Sequence, residues 1–371
     1  MIESIRLQNF KAFKDISIKF RQITLLSGLN GSGKSTTLQA FALLRQSFDN
    51  GFIFKSSLTL NGHLVDLGVG RDVLHENNDR DEIVISLKEN SSSDVLHCAV
   101  SYDQMSDVLE GKSALSHEEL SKFSLFKDYF QYLKADRVSP MVSYPKSHHV
   151  ISTQKFLGSK GEFAPHYLFK FQDSEVNHAI KRHPSFSATS GLLSQINAWM
   201  QEISPGARVS VEEVDRTDTV RLAYGYGSNA GIKSSELYRP TNVGFGLSYS
   251  LPILLACLTS PPGSLVLVEN PEAHLHPQGQ VALGDLLART AASGVQIIVE
   301  SHSDHILNGL RIAVKNKIID SEKLQLNFFS RALDGAQPSL VTPEVDPTGR
   351  LSKWPDGFFD QWDKSIDLIL G

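Results

Sequence analysis

Near the N-terminus, between two apolar stretches, stands Gly28-Leu-Asn-Gly-Ser-Gly-Lys34-Ser35, and this segment restricts the fold more than any other. Ile23 to Ser27 has the continuous apolar character of a short buried strand. Thr36 to Arg45 has apolar residues at helical spacing. Strand, glycine-rich turn, then helix is the context in which this spacing predicts a phosphate-binding loop. Gly28, Gly31 and Gly33 let the backbone turn its N–H groups inward. The helix N-terminus adds partial positive charge, and Lys34 reaches the outer phosphates of a nucleoside triphosphate. The Ser35 hydroxyl is placed for Mg²⁺. Asn30, Ser32 and Thr36 complete the expected contacts. A glycine turn that merely joins strand to helix is the simpler reading, and the flanking pattern argues against it.

The rest of the composition is that of an ordinary globular chain: 371 residues, 41% hydrophobic, 21% charged, net charge −5. That length is enough for a sizeable core and two lobes. No apolar run approaches a membrane span, and the N-terminus lacks the basic-then-apolar order of a signal peptide, so no membrane partner and a cytoplasmic location are expected. Cys98 and Cys257 stand far apart and read as reduced, buried thiols. The acidic balance argues against a surface basic all over but leaves room for a local basic stripe.

Ile2 to Phe10 alternates as an edge-type strand does, and Phe13 to Phe20 repeats the pattern, so a hairpin is expected. Residues 50–103 look β-rich, with Leu58 to Gly62 and Glu82 to Leu87 as strands. Residues 104–134 read as helical and polar, with an apolar stripe from Glu119 to Leu133. Ser139 to Gly161 is turn-rich. Residues 163–203 return to helical spacing, Val209 to Val214 and Thr219 to Tyr224 look like paired strands, and Gly225 to Ser235 reads as a linker or exposed loop. No internal repeat or long heptad run is visible.

Leu265-Val-Leu-Val-Glu269 is a continuous apolar run ending in acid. It reads as a buried parallel strand that delivers Glu269 to the edge where α/β sheets bind ligands. An acid there holds the magnesium shell. Val295 to Glu300 repeats the design and empties into Ser301, His302 and Asp304, where a histidine can bond the γ-phosphate or the attacking water. His274, His276, His302 and His305 could instead be read as a metal cluster, for which the spacing is poor. Asn242-Val-Gly244-Phe-Gly246-Leu-Ser248 opens the apolar helix Leu251 to Leu258 and makes another anion-seeking N-terminus.

With these residues the chain resembles an ABC-type ATPase head of the branch that includes chromosome-maintenance, recombination-repair and overcoming-lysogenization-defect proteins. Within that branch it is similar to predicted bacterial ATPases with a short C-terminal domain of unknown function, often encoded beside nucleases or toxins in anti-phage loci. The matching pieces are Asn9 to Lys14, Tyr132 to Arg137, Val243 to Ser248, Glu269 to Pro277, Ser301 to Ser303 and Trp354 to Gln361. The resemblance implies that Gly28 to Thr36 hold ATP, Glu269 is the magnesium-side acid and His302 the switch histidine. It also implies that Ala273 to Pro277 meet a second subunit, and that Gly244, Gly246 and Ser248 reach the γ-phosphate of that opposite copy. A homodimer is then the expected active form. The position after Glu269, where such enzymes carry a catalytic glutamate, holds Asn270. An amide orients water but takes no proton. Glu272 substitutes, or hydrolysis is slow. The 242–248 segment departs from the usual Leu-Ser-Gly-Gly form, and Gln154 is the candidate for the glutamine loop.

For Asp136-Arg137, a role near the nucleotide and a buried ion pair are both open. For Lys11 and Lys14, contact with the nucleotide and a solvated hairpin edge are both open. Lys146 to His149 with Lys155 and Lys160 is mildly basic, but no aromatic interleaving supports a stacking platform. Trp354 to Trp362 reads as a latch on the head. The expected fold is α/β: an ABC-type P-loop NTPase head with mixed β-sheet (1–49 with 240–330), an inserted β-rich then helical lobe (50–239) and a short C-terminal segment (331–371). The expected function is that of an ATPase of low turnover, with ATP and Mg²⁺ as its ligands, dimerising around ATP to gate a partner effector, a nuclease or toxin encoded nearby, in anti-phage defence. The alternatives are a repair ATPase gripping DNA, with RNA also open, and a non-hydrolysing scaffold.

Overall fold

The computed structural model describes residues 1–78, 80–90, 95–227, 236–330 and 338–370. The expected linker Gly225 to Ser235 lies outside the described residues from 228 onward, as does 331–337 of the C-terminal segment. In chain order run β1 (Ile2–Phe10), β2 (Phe13–Lys19), β3 (Ile23–Gly28), α1 (Lys34–Asp49), β4 (Glu82–Glu89) and β5 (Val95–Ser101). Next come β6 (Phe130–Leu133), α2 (Ala164–Phe171), α3 (Leu192–Ile203), β7 (Ala207–Glu213), β8 (Thr219–Tyr226) and α4 (Phe245–Thr259). The chain continues through β9 (Leu265–Glu269), α5 (Pro277–Ala292), β10 (Gln296–Glu300), α6 (Asp304–Lys315), β11 (Leu324–Ser330), β12 (Ser339–Val341) and α7 (Gln361–Leu370), with shorter pieces between.

These elements form two compact units: Met1–Lys127 with Ser321–Asp346 and Arg350–Gly371, and Asp128–Asp320 with Pro347–Gly349. In the first, β2, β1, β4 and β5 make an antiparallel sheet in that order. β1 therefore has a neighbour on each side and is not the edge strand its alternation predicts. Alternation reports one buried face, not the number of hydrogen-bonded neighbours. The same unit holds β3 parallel to β11, with β12 antiparallel on the far side of β11. Phe358 is fully buried, its ring 5.3 Å from that of Phe328 on β11.

In the second unit β10, β9 and β6 run parallel, every residue of all three buried. α5 packs on β10 and α4 on β6, with α3 against both helices and α6 against α5; α4 is almost wholly buried. The α5–α6 contact is close because Gly284 and Gly309 face each other, a Cβ on either standing 3.0 Å from the other's Cα. β7 and β8 form the expected pair, extended by a short strand at Ser143–Pro145.

The helical reading of 104–134 is corrected. Only His117–Ser121 is α-helix, capped by Ser116 and Glu119, followed by a 3₁₀ turn at Ser124–Phe126 and then strand β6. β6 is only four residues, Phe-Gln-Tyr-Leu, too short for its period to be separated from the end of a helical stripe. The strand expected over Leu58 to Gly62 covers only Leu58–Thr59. Both thiols are free and buried. Among the described residues no helix is long and apolar enough to cross a membrane.

Candidate functional site: a phosphate loop and an acid-tipped parallel strand

The first unit carries the loop. β3 is buried through Ser27, and at Gly28 the chain turns with φ +140°. A Cβ there would stand 2.1 Å from the Phe329 carbonyl oxygen on β11, so the strand pairing admits only glycine. Gly33, at φ +97°, is the N-cap of α1, and a Cβ on it would meet the Phe13 ring at 2.2 Å. Around Gly31, at φ +72°, the space for a Cβ is open. The buried Lys34 ammonium donates to the carbonyls of Gly28 and Leu29 at 2.9 and 2.7 Å, and Ser32 Oγ donates to Leu29 at 2.7 Å. No side chain caps α1, and no acid stands in its first turn. The helix therefore presents N–H groups and an unopposed positive dipole end to an anion. Asn30 and Gly31 are exposed, Ser35 is half-buried and Thr36 buried. This is a cradle of the kind triphosphates use, with a hydroxyl suited to Mg²⁺. Nearby, Lys11 Nζ donates to Gln39 Oε1 on α1 at 2.8 Å, and burial lowers its pKa.

The second unit carries the acid. Glu269 ends β9, buried, with Oε1 accepting from the Tyr132 hydroxyl at 2.6 Å and Oε2 from the Ala135 N–H at 3.0 Å. Burial, and then the Glu269 carboxylate, push the Tyr132 phenol well above its ordinary pKa, so it stays a donor. Arg137 is buried and donates to carbonyl oxygens of Lys134, Glu269 and Asn270 at 3.0, 2.7 and 2.6 Å. Asp136 pairs instead with Lys160 at the surface, so the two neighbours do not form the buried ion pair that was one expectation. Asn270 turns left-handed at φ 43°, its N–H bonded to the Glu300 carbonyl.

Glu272 lies just beyond, its Oε2 accepting from Ser301 Oγ and its Oε1 from the His302 N–H, both at 2.8 Å. The His302 side chain is exposed at the end of β10. Gly244 caps α4 with open space around it and no side-chain cap, whereas a Cβ on Gly246 would meet the His274 carbonyl oxygen at 2.6 Å. That close approach fixes the turn containing His274, whose ring lies against Tyr249 and Phe245. The buried Ser248 hydroxyl faces Tyr224 at 3.3 Å. Gln154 is exposed. Among the described residues no group of three or more His, Cys, Asp or Glu is arranged to hold a metal, the four histidines included.

The structure thus brings together Glu269, Asn270, Glu272 and His302 at the ends of two adjacent parallel strands, and Gly28 to Thr36 in one loop. Sequence reasoning missed the Tyr132–Glu269 bond. The partners stand 137 residues apart, and the helical reading of 104–134 gave no signal for it.

Residues 1–203 match the family model described as "AAA ATPase domain". Residues 223–308 match "AAA domain, putative AbiEii toxin, Type IV TA system", and residues 319–368 match "Protein of unknown function (DUF3696)". No curated protein matches the chain. Among solved structures it is similar to "Crystal structure of the SmcHead bound to the C-winged helix domain of ScpA", at 16% identity and TM-score 0.54, covering 93% of this chain and 98% of that chain. It is also similar to an Smc head domain with an extended coiled coil, bound to the C-terminal domain of ScpA derived from Pyrococcus furiosus. There the identity is 15% and the TM-score 0.51, with 100% and 99% of the two chains covered. At such identities the likeness concerns the fold alone, a mixed α/β one. The resemblance read from the sequence motifs agrees with these matches.

Proposed function

This chain belongs to the AAA ATPase domain family, and we propose on that premise that it binds ATP with Mg²⁺, hydrolyses it slowly, and closes as a homodimer that gates a partner effector. The observation that carries the reading is the loop at the start of α1. Left-handed Gly33, an uncapped helix N-terminus free of acids, and Lys34 drawn onto the loop carbonyls make an anion cradle. Asn30 to Thr36 are assigned to the phosphates, and Ser35 with Glu269 to the metal. When bound, Mg²⁺ neutralises phosphate charge. Tyr132 and Ala135 keep the Glu269 carboxylate in one orientation. Asn270 orients water without removing its proton, which keeps turnover low. Glu269, Asn270, Glu272 and His302 are assigned to the γ-phosphate end, and Gly244, Gly246 and Ser248 to the phosphate of the opposite copy. The split head (1–49 with 240–330), inserted lobe (50–239) and C-terminal segment (331–371) belong to the same proposal, as does a cytoplasmic location.

A nuclease or toxin partner in anti-phage defence is supported by the sequence resemblance and by the toxin in the name of the model matched at 223–308. Direct DNA binding has less behind it, because Lys146 pairs with Glu213, Lys160 with Asp136, and Lys170 bonds His148 and Ser152. Asn270 favours a second reading, a scaffold that binds ATP without cleaving it. Phosphate release and equilibrium ATP binding, wild type against Lys34→Ala, test the proposal. Turnover below about 1 s⁻¹ is expected for wild type, with binding about 100-fold weaker in the variant. Undiminished binding by Lys34→Ala would refute the loop assignment, and binding without release would establish the scaffold.

A further inference from the structure

For the catalytic carboxylate that Asn270 lacks, the sequence left two readings, Glu272 in its place or slow hydrolysis, and the bonds of Glu272 favour another role for it. We propose that Glu272 is a positioning residue that fixes the backbone carrying His302. Its carboxylate leaves the turn after β9 and ties down the turn after β10 at two points, Ser301 Oγ and the His302 N–H. Ser301, fully buried, accepts in turn from the Ser303 N–H at 3.0 Å. Ser303 caps α6 through the N–H groups of His305 and Ile306 and donates to Gln280 of α5. His302 therefore has an exposed side chain on a backbone held from both sides. Fixing that backbone sets the direction in which the solvent-facing His302 side chain leaves it.

The same bonds argue against Glu272 as the proton acceptor. A proton on Oε1 would face the His302 N–H, donor against donor, and one on Oε2 would require the Ser301 hydroxyl to turn from donor to acceptor, so either way a bond that holds the turn is lost or reversed. Arg137, among the charges near it, feels Glu272 most strongly, and that carboxylate favours the charged guanidinium. The catalytic part of this inference rests on the ATPase reading above, and the structural part does not.

Two variants separate the roles. Glu272→Gln keeps an oxygen for the His302 N–H and an amide for Ser301 Oγ, whereas Glu272→Ala keeps neither. Amide hydrogen exchange over 301–303 without nucleotide is expected to rise about tenfold or more in Ala and stay within about twofold of wild type in Gln. In steady-state hydrolysis, Ala is expected to lower kcat about tenfold with KM within about twofold, while Gln retains about a third of kcat. The double variant Glu272→Ala/His302→Ala should be no slower than His302→Ala alone. Abolished turnover in Gln with wild-type exchange would overturn the proposal and make Glu272 the base. Unchanged exchange in Ala would overturn it outright. If wild type releases no phosphate, the hydrolytic reading falls, and the exchange arm still decides whether Glu272 holds the turn.

Discussion

At the scale of single residues, the second unit is built on buried donors aimed at carbonyl and carboxylate oxygens. Arg137 shows the logic: its guanidinium satisfies two carbonyls where β9 ends and one just after β6, and burial pushes its pKa down to about 10, still protonated at neutral pH. Lys181 does the same at the other end of a helix. Its buried ammonium donates to the carbonyl of Ser260, the C-cap of α4, where the helix dipole favours a cation. Burial lowers the Lys181 pKa to about 8 from an ordinary 10.5. Below about 8 both folded and unfolded chains hold this proton. Between 8 and 10.5 the folded chain has released it and the unfolded chain has not, so stability rises with pH across that window. Cys257 acts in the opposite sense, since burial raises its pKa from 9.0 to about 11. Measurements therefore belong at pH 7 and 9. Lys181→Met should lose about 1 kcal/mol relative to wild type between those pH values, followed by thermal melting. A difference that does not change with pH would contradict the assignment.

At the scale of elements, the phosphate loop makes a graded prediction. Gly28→Ala drives a methyl into the Phe329 carbonyl at 2.1 Å and should separate β3 from β11, destabilising by more than about 2 kcal/mol. Gly31→Ala meets no atom within 4 Å, so it should cost only about 1 kcal/mol while weakening ATP binding. Urea unfolding checks both, and equal losses would refute the steric account. The loop was legible because its signal is local: three glycines, a lysine and a serine between a strand and a helix. The positions of Glu269 at the end of β9 and of His302 just past β10 were legible for a similar reason, each following a short run of apolar residues. Strand β6 was not legible, because its four residues, Phe-Gln-Tyr-Leu, are too few to show a period of two. Nor was the second neighbour of β1, since β4 lies some eighty residues away and alternation counts faces, not neighbours. The bonds of Tyr132, Arg137 and Glu272 depend on side chains from separate strands, and no spacing rule encodes such a meeting.

At the scale of the whole molecule, one chain supplies a glycine-rich loop before an uncapped α1 in its first unit and an acid-tipped strand with an uncapped α4 N-terminus in its second. On the proposed account, α4 and the turn from Ala273 to Pro277 serve the nucleotide of another copy. Nucleotide then acts as the glue of a dimer, and Asn270 prolongs that state by slowing cleavage. The account is tested most directly by the solution mass of the purified protein from light scattering, with and without ATP and Mg²⁺, beside Lys34→Ala under the same conditions. The predicted result is about 41 kDa without nucleotide, twice that mass with ATP, and no doubling for Lys34→Ala. A wild-type mass that ATP leaves unchanged would contradict it.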